Sequence, residues 1–204
     1  LIYSLCSAAT PIVVTYLMAY VRNMYDFKFL KYIDGLVYVM MALPVFGTLA
    51  SSIQVFKFFG IHNNFPAFVL IARFTFGGMN YFIIGTMIKS IPKAFTEAAE
   101  IDGAGELQKL FMVMIPLTMG VIMTLYVLDF ISCWNDYQVP LIYLNNMPTA
   151  AYGIYVVKNT QGDMSRIQFK LCACFIIVLP IMVVFVILHD RLMKGVSLSA
   201  GVKE

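Results

Sequence analysis

Four acidic side chains, Glu97, Glu100, Asp102 and Glu106, crowd into one short stretch and make up four of the chain's eleven acidic residues. Carboxylates at this spacing are the raw material of general acid–base work or of cation binding. Neither chemistry is completed by its neighbours. The chain's two histidines, His62 and His189, stand far away in sequence. Its four cysteines, Cys6, Cys133, Cys172 and Cys174, lie in or beside apolar runs and form no Cys-x-x-Cys pair. Cys172 and Cys174 are two apart and so point to different helix faces. Small apolar packing accounts for the cysteines better than a disulfide framework or a metal site. No glycine-rich phosphate loop of the Walker type is present. Catalytic residues and metal ligands are therefore expected to be none. The acidic island is left as a solvated loop or as a docking element for a cytoplasmic protein.

What must position the island is a greasy scaffold. The 204 residues are 61% hydrophobic and only 12% charged, with a mean hydropathy of +0.83. Soluble domains carry about 25% charged residues. The net charge of +3 requires no nucleic acid. Five apolar segments stand out: Leu1–Val21, Gly35–Phe56, Phe65–Ile88, Leu110–Cys133 and Leu171–His189. Each approaches the roughly 20 residues that a bilayer span needs, and lipid forces such spans to be helical. The expected fold is all-α: a polytopic membrane helical bundle, one transmembrane domain over residues 1–204. The chain opens on Leu1 in an apolar run with no basic region before it, so a preceding span is expected.

Basic residues orient the bundle. With the end of the first span inside, the cytoplasmic side holds Arg22, Lys28, Lys31, Lys89, Lys93, Lys109, Arg191, Lys194 and Lys203. The outer side holds Lys57, Lys158, Arg166 and Lys170, and Arg73 falls within a span. Nine against four places the island and the C-terminus in the cytoplasm. Pro11 and Pro44 are expected to free a carbonyl each and allow kinks. Gly77-Gly78 and Gly85 read as close-packing positions. On the outer side, Trp134 and Tyr137 read as an interfacial belt, Tyr152 and Tyr155 as more exposed. Arg73, Asn80, Asp129 and Asn135 are polar exceptions in the apolar runs. Such groups usually face a bundle interior or a wet path, and Arg73 with Asp129 are candidates for a pair, unless Asp129 simply reaches outer water.

Within the island, Ser90-Ile91-Pro92 reads as a capped start, Lys93 to Asp102 as a short helix, and Gly103 and Gly105 as its left-handed end. Glu106 to Ile115 reads as a second short helix, with Pro116 marking entry to the next span.

These residues carry a family likeness. Glu97-Ala98-Ala99, three residues, Gly103, nine residues, then Val113-x-Ile115-Pro116 resembles the EAA loop of ABC-importer permeases, with Val113 and Ile115 as conservative departures. The run Glu97 to Ala104 is similar to the form found in carbohydrate permeases of the maltose/multiple-sugar type. Trp134-Asn135-Asp136 with Pro140-Leu141-Ile142, and Arg191 to Gly195 with Ala200 to Lys203, resemble other segments of that family. The likeness covers nearly the whole chain. It implies six spans, of which the five here are the second to sixth, in the inner membrane of a bacterial cell.

The resemblance implies a division of labour. The loop at about 90–116 becomes a coupling helix, with Glu97, Ala98, Ala99, Asp102, Gly103 and Pro116 engaging one of two cytoplasmic ATPase subunits. ATP and magnesium belong to those subunits, and this chain carries no cofactor. A second permease subunit completes the pathway, and an extracytoplasmic sugar-binding protein delivers the solute. Tyr152 and Tyr155 are candidates for touching that protein, and Arg73, Asn80, Asp129 and Asn135 for the pathway or its gate. A permease for a polyamine or a glycerol phosphate is the alternative. A secondary transporter is the reading from a different class, but no internal repeat or coupling-ion site supports it.

Overall fold

A computed structural model describes residues 1–25, 28–43, 47, 49–159 and 167–201, with the backbone alone described at 49 and 188–201. Among these residues every regular element is helical, as lipid requires of a spanning chain. Helix α1 covers Ile2–Met24, α2 Lys28–Ala42 and α3 Leu49–Phe58. Helix α4, Phe65–Ala67, continues as a π-helical turn over Phe68–Ala72, and α5 covers Gly78–Ser90. Helix α6 is Ala94–Ile101. Helix α7, Glu106–Gln108, runs through a second π turn, Lys109–Met114, into α8, Ile115–Asn135. Then come α9 (Gln138–Tyr143), α10 (Ala150–Asn159) and α11 (Ile167–Gly201).

Three described stretches are long and apolar enough to cross a membrane: Ile2–Met24, Glu106–Asn135 and Ile167–Ile187. The other two expected spans are built differently. Gly35–Phe56 divides between α2 and α3. Phe65–Ile88 divides between the α4 segment and α5. The reason for the second break is local: Gly77 has φ +120° and Gly78 φ +63°, conformations that no helix uses and that side chains resist. Gly77-Gly78 is thus a chain break, and Gly77 also packs closely on α2, a Cβ there lying 3.6 Å from Val37 Cγ1 and Cγ2, while Gly78 has no such neighbour. Gly85 fits the close-packing expectation, since a Cβ there would lie 3.2 Å from the Asn23 side-chain amide. Helix α1 runs through Pro11. Pro44 lies outside the described residues, as do Arg166, Val202 and Lys203 and the side chains from Arg191 to Gly195.

The chain forms two compact units. In the first, Tyr3, Ile61, Phe68, Cys133 and Leu144 form a buried cluster. The α3–α4 turn is held there by the Asn63 amide donating to Tyr143 O at 2.8 Å. In the second, Ile12, Tyr16, Ala19, Val37, Tyr81, Ile84 and Met114 belong to a larger cluster. Lipid tails are as apolar as these side chains, so apolar burial gives little drive for helices to associate and polar links carry weight. One is the buried Tyr16–Thr118 hydroxyl pair at 3.0 Å. Helix α11 exposes Phe175, Ile176, Leu179, Val183 and Val186, a surface suited to lipid rather than water.

Candidate functional site

The acidic island folds as a short helix with a glycine stop. Helix α6 begins at Ala94, within a residue of the expected Lys93. Ser90 does not cap it. That hydroxyl ends α5 by donating back to Met87 O at 2.7 Å, because the chain leaves α5 in extended form at Ile91 before α6 can start. Thr96, buried, pins the first turn by donating to Lys93 O at 2.8 Å. Glu97 sits in that first turn, where a carboxylate is favoured by the helix dipole.

The end of α6 is a Schellman motif. Gly103 N–H donates to Glu100 O at 3.0 Å, and Ala104 N–H to Ala99 O at 2.9 Å. The geometry requires a left-handed residue after the cap, and Gly103 supplies φ +79°. Gly105 differs from expectation: with φ −70° and ψ 168° it is extended and caps α7, its N–H donating to Gln108 Oε1 at 2.8 Å. Glu97, Ala98, Asp102 and Gly103 are exposed and Ala99 half-buried. Four of these five residues are thus open to solvent. Ile101 is 87% exposed.

The second short helix of the island does not stand alone. Residues 106–135 form one helical run, and Pro116 lies inside it instead of marking a break. Proline at 116 has no N–H for Met112 O and crowds that carbonyl. The π turn at Lys109–Met114 immediately before it re-spaces the ladder, so the helix need not end.

Sequence reasoning missed what fastens this loop. Lys109, counted only as a positive charge, is buried. Its Nζ donates to Glu100 Oε1 at 2.7 Å and pairs with Glu106. The three-residue spacing of Glu106 and Lys109 on a helix was the available signal. Tyr25 donates its hydroxyl to Glu106 Oε2 at 2.6 Å. This hydrogen bond, with some desolvation, pushes the Tyr25 phenol pKa up. Nearby in sequence, Arg22 donates from Nε and Nη2 to Asp34 Oδ2 at 2.9 and 2.8 Å, and Tyr81 donates to Asp34 Oδ1 at 2.8 Å. Desolvation raises the Asp34 carboxyl, but these hydrogen bonds and the Arg22 charge outweigh it and hold the group below the usual carboxylate range.

Arg73 donates from Nε to Ser7 O at 3.2 Å and from Nη2 to Cys133 Sγ at 3.0 Å. Ser7 O is the carbonyl that Pro11 leaves without its helical donor, four residues back. Cys133 lies one helical turn beyond Asp129, which is half-buried. Asn80 is half-buried in α5. Asn135 is exposed at the end of α8 and donates to Ile131 O at 2.9 Å. Trp134 does not form an exposed belt. It is buried, with Nε1 donating to Ile177 O at 3.1 Å. Tyr155 stacks on Tyr137 with centroids 4.6 Å apart and planes at 11°. Asn135, Tyr137, Tyr155, Lys158 and Asn159 line a cavity of about 420 Å³. One pathway candidate and one delivery candidate therefore share a cavity. Tyr152 is half-buried, its N–H capped by Thr149 Oγ1 at 3.2 Å. No group of histidine, cysteine and acidic residues that could hold a metal occurs among the described residues.

Comparison with known proteins assigns the chain to a family. Residues 11–198 match the family model of the binding-protein-dependent transport system inner membrane component. The chain belongs to this family. It is a membrane-embedded transport component, all-α and multi-pass. A melibiose/raffinose/stachyose import permease of Bacillus subtilis is 25% identical over 195 residues, covering 95% of this chain and 71% of the relative. A polygalacturonan/rhamnogalacturonan transport system permease of the same species is 25% identical, covering 79% of this chain and 63% of the relative. An sn-glycerol-3-phosphate transport system permease of Yersinia pestis is 24% identical, covering 90% and 66%. The chain thus spans about two thirds of the length of these relatives.

Proposed function

We propose that the chain is a permease subunit of an ATP-driven importer, forming part of the path for a carbohydrate, an oligosaccharide by class. In this reading an extracytoplasmic sugar-binding protein delivers the solute, a second permease subunit completes the path, and two cytoplasmic ATPase subunits hold ATP and magnesium. The observation that carries it is the exposed α6 with its Schellman stop at Gly103, in a chain of this transport family. A short helix closed by a hydrogen-bonded turn is a knob that a groove on a partner can grip. Glu97, Ala98, Ala99, Asp102 and Gly103 form its engaging face, and Pro116 shapes the helix that receives the push. Nine basic residues on one side against four on the other support a cytoplasmic position for the loop and the C-terminus, in the inner membrane of a bacterial cell.

Two of the relatives described above are named for oligo- or polysaccharide transport, which supports the sugar reading. The glycerol-phosphate reading is favoured by the third. Both are tested together in proteoliposomes holding the complete importer, with a panel of oligosaccharides and phosphorylated polyols and their binding proteins. Oligosaccharide-dependent stimulation of ATP hydrolysis and uptake is expected; stimulation by a phosphorylated polyol alone replaces the sugar reading.

Gly103 tests coupling in the same system. No atom lies within 4 Å of a Cβ built there, so only the backbone conformation is at stake, at about 1–2 kcal/mol for an ordinary residue. Gly103→Val is expected to insert normally, hydrolyse ATP and lose most uptake per ATP, while Gly103→Asn, which tolerates the left-handed region, keeps more. Normal uptake by the valine variant removes the coupling role.

A further inference from the structure

The coupling loop is tied to the membrane helices by a chain of polar contacts, all within the second compact unit. Its centre is Lys109, 4% exposed, at the first residue of the π turn. The ammonium meets Glu100 of α6 and Glu106 of α7 together. The ammonium is held from two sides at once, by one carboxylate from α6 and one from α7, while both carboxylates stay open to solvent. Glu106 then uses its second oxygen for the Tyr25 hydroxyl at 2.6 Å. Tyr25 extends the last turn of α1, its N–H donating to Val21 O at 3.1 Å. A single carboxylate therefore joins the foot of the 106–135 helix to the end of α1.

The glycine turn alone does not secure this geometry. No atom lies within 4 Å of a Cβ built at Gly103, and the Schellman hydrogen bonds are local to the turn. The Lys109–Glu100 contact joins α6 directly to the 106–135 helix, across residues 103–105. We propose that Lys109 is the positioning residue of the coupling loop: it locks α6 to the foot of the 106–135 helix and, through Glu106 and Tyr25, to the end of α1, so that displacing α6 moves those two helix ends together. This rests on the coupling role proposed above and names the side chains that make the loop stiff.

The test uses the complete importer, with its ATPase, second permease and binding protein, in proteoliposomes, and reads solute imported per ATP hydrolysed. Lys109→Met is expected to keep the ATPase co-purifying and hydrolysing while the ratio falls about fivefold or more, the scale of a typical coupling free energy. Lys109→Arg is expected to recover most of the ratio. Tyr25→Phe removes one hydroxyl from an exposed hydrogen bond, leaves folding intact, and is expected to lower the ratio about twofold, the effect of one lost hydrogen bond. An unchanged ratio in Lys109→Met and Tyr25→Phe, with Gly103→Val uncoupled, overturns the clamp and leaves the coupling loop standing. An unchanged ratio in all three overturns both. If Lys109→Met does not assemble, Tyr25→Phe decides: an unchanged ratio rejects the clamp.

Discussion

Arg73 shows how one side chain can be read as a gate from sequence and as a repair in structure. Pro11 sits inside α1 and cannot donate to Ser7 O. Arg73 Nε donates there instead, at 3.2 Å. An unsatisfied carbonyl in lipid costs several kcal/mol in principle, and about 1–3 kcal/mol in measured protein cases. Arg73→Met should therefore lower the complex's thermal stability in detergent, and Pro11→Ala, by returning the N–H, should restore much of that loss. A pathway or gating role predicts something else: charge reversal at Arg73 and at Asp129 each abolishes uptake, and the double reversal rescues it. Arg73 lies beside Cys133, one turn from Asp129, so both outcomes are physically open to the same guanidinium. Rescue by Pro11→Ala without rescue by the double reversal assigns Arg73 to holding α1. The reverse result assigns it to the path.

At the scale of elements, the π turn before Pro116 is the feature the sequence did not announce. Hydrophobic periodicity cannot see a one-residue change in hydrogen-bond spacing, and proline after a polar stretch reads as a boundary. In the structure the helix continues through Pro116, with the π turn at Lys109–Met114 directly before it and Ile115 N–H donating to Leu110 O. Pro116→Ala supplies the N–H for Met112 O and removes the steric reason for the π turn. The helix is expected to relax towards α geometry, turning Lys109 by part of a turn away from Glu100. The variant should be at least as helical by circular dichroism yet import less solute per ATP. Unchanged coupling with unchanged helicity shows that the π turn has another cause. The island itself was legible, since Ala-rich composition, first-turn glutamate and a stop glycine all act locally. The ties around it were not, because Tyr25 and Glu106 lie 81 residues apart and only the fold brings them together. The break at Gly77-Gly78 was half legible: the glycines were noticed, but packing and positive φ look alike in a sequence.

For the whole molecule, the excess of nine basic residues over four predicts the orientation, which cysteine labelling measures directly. The two sides offer convenient reporters. Ile101, 87% exposed beside the glycine stop, belongs to the expected cytoplasmic face. Tyr155, on the rim of the cavity that includes Asn135 and Lys158, belongs to the expected outer face. In a variant free of the four native cysteines, Ile101→Cys should react with a membrane-impermeant thiol reagent only after the cells are opened. Tyr155→Cys should react in cells whose outer surface alone is accessible to the reagent. A crosslinker placed at Tyr155 should capture the binding protein when solute is present. The physical basis is that moving Lys or Arg across an apolar core is far more costly than leaving it on the side of synthesis, so an excess of nine over four outweighs any preference of the loops themselves. Opposite labelling inverts the molecule and takes α6 away from any cytoplasmic ATPase. Correct labelling without capture at Tyr155 keeps the orientation and moves the delivery contact elsewhere on the outer face.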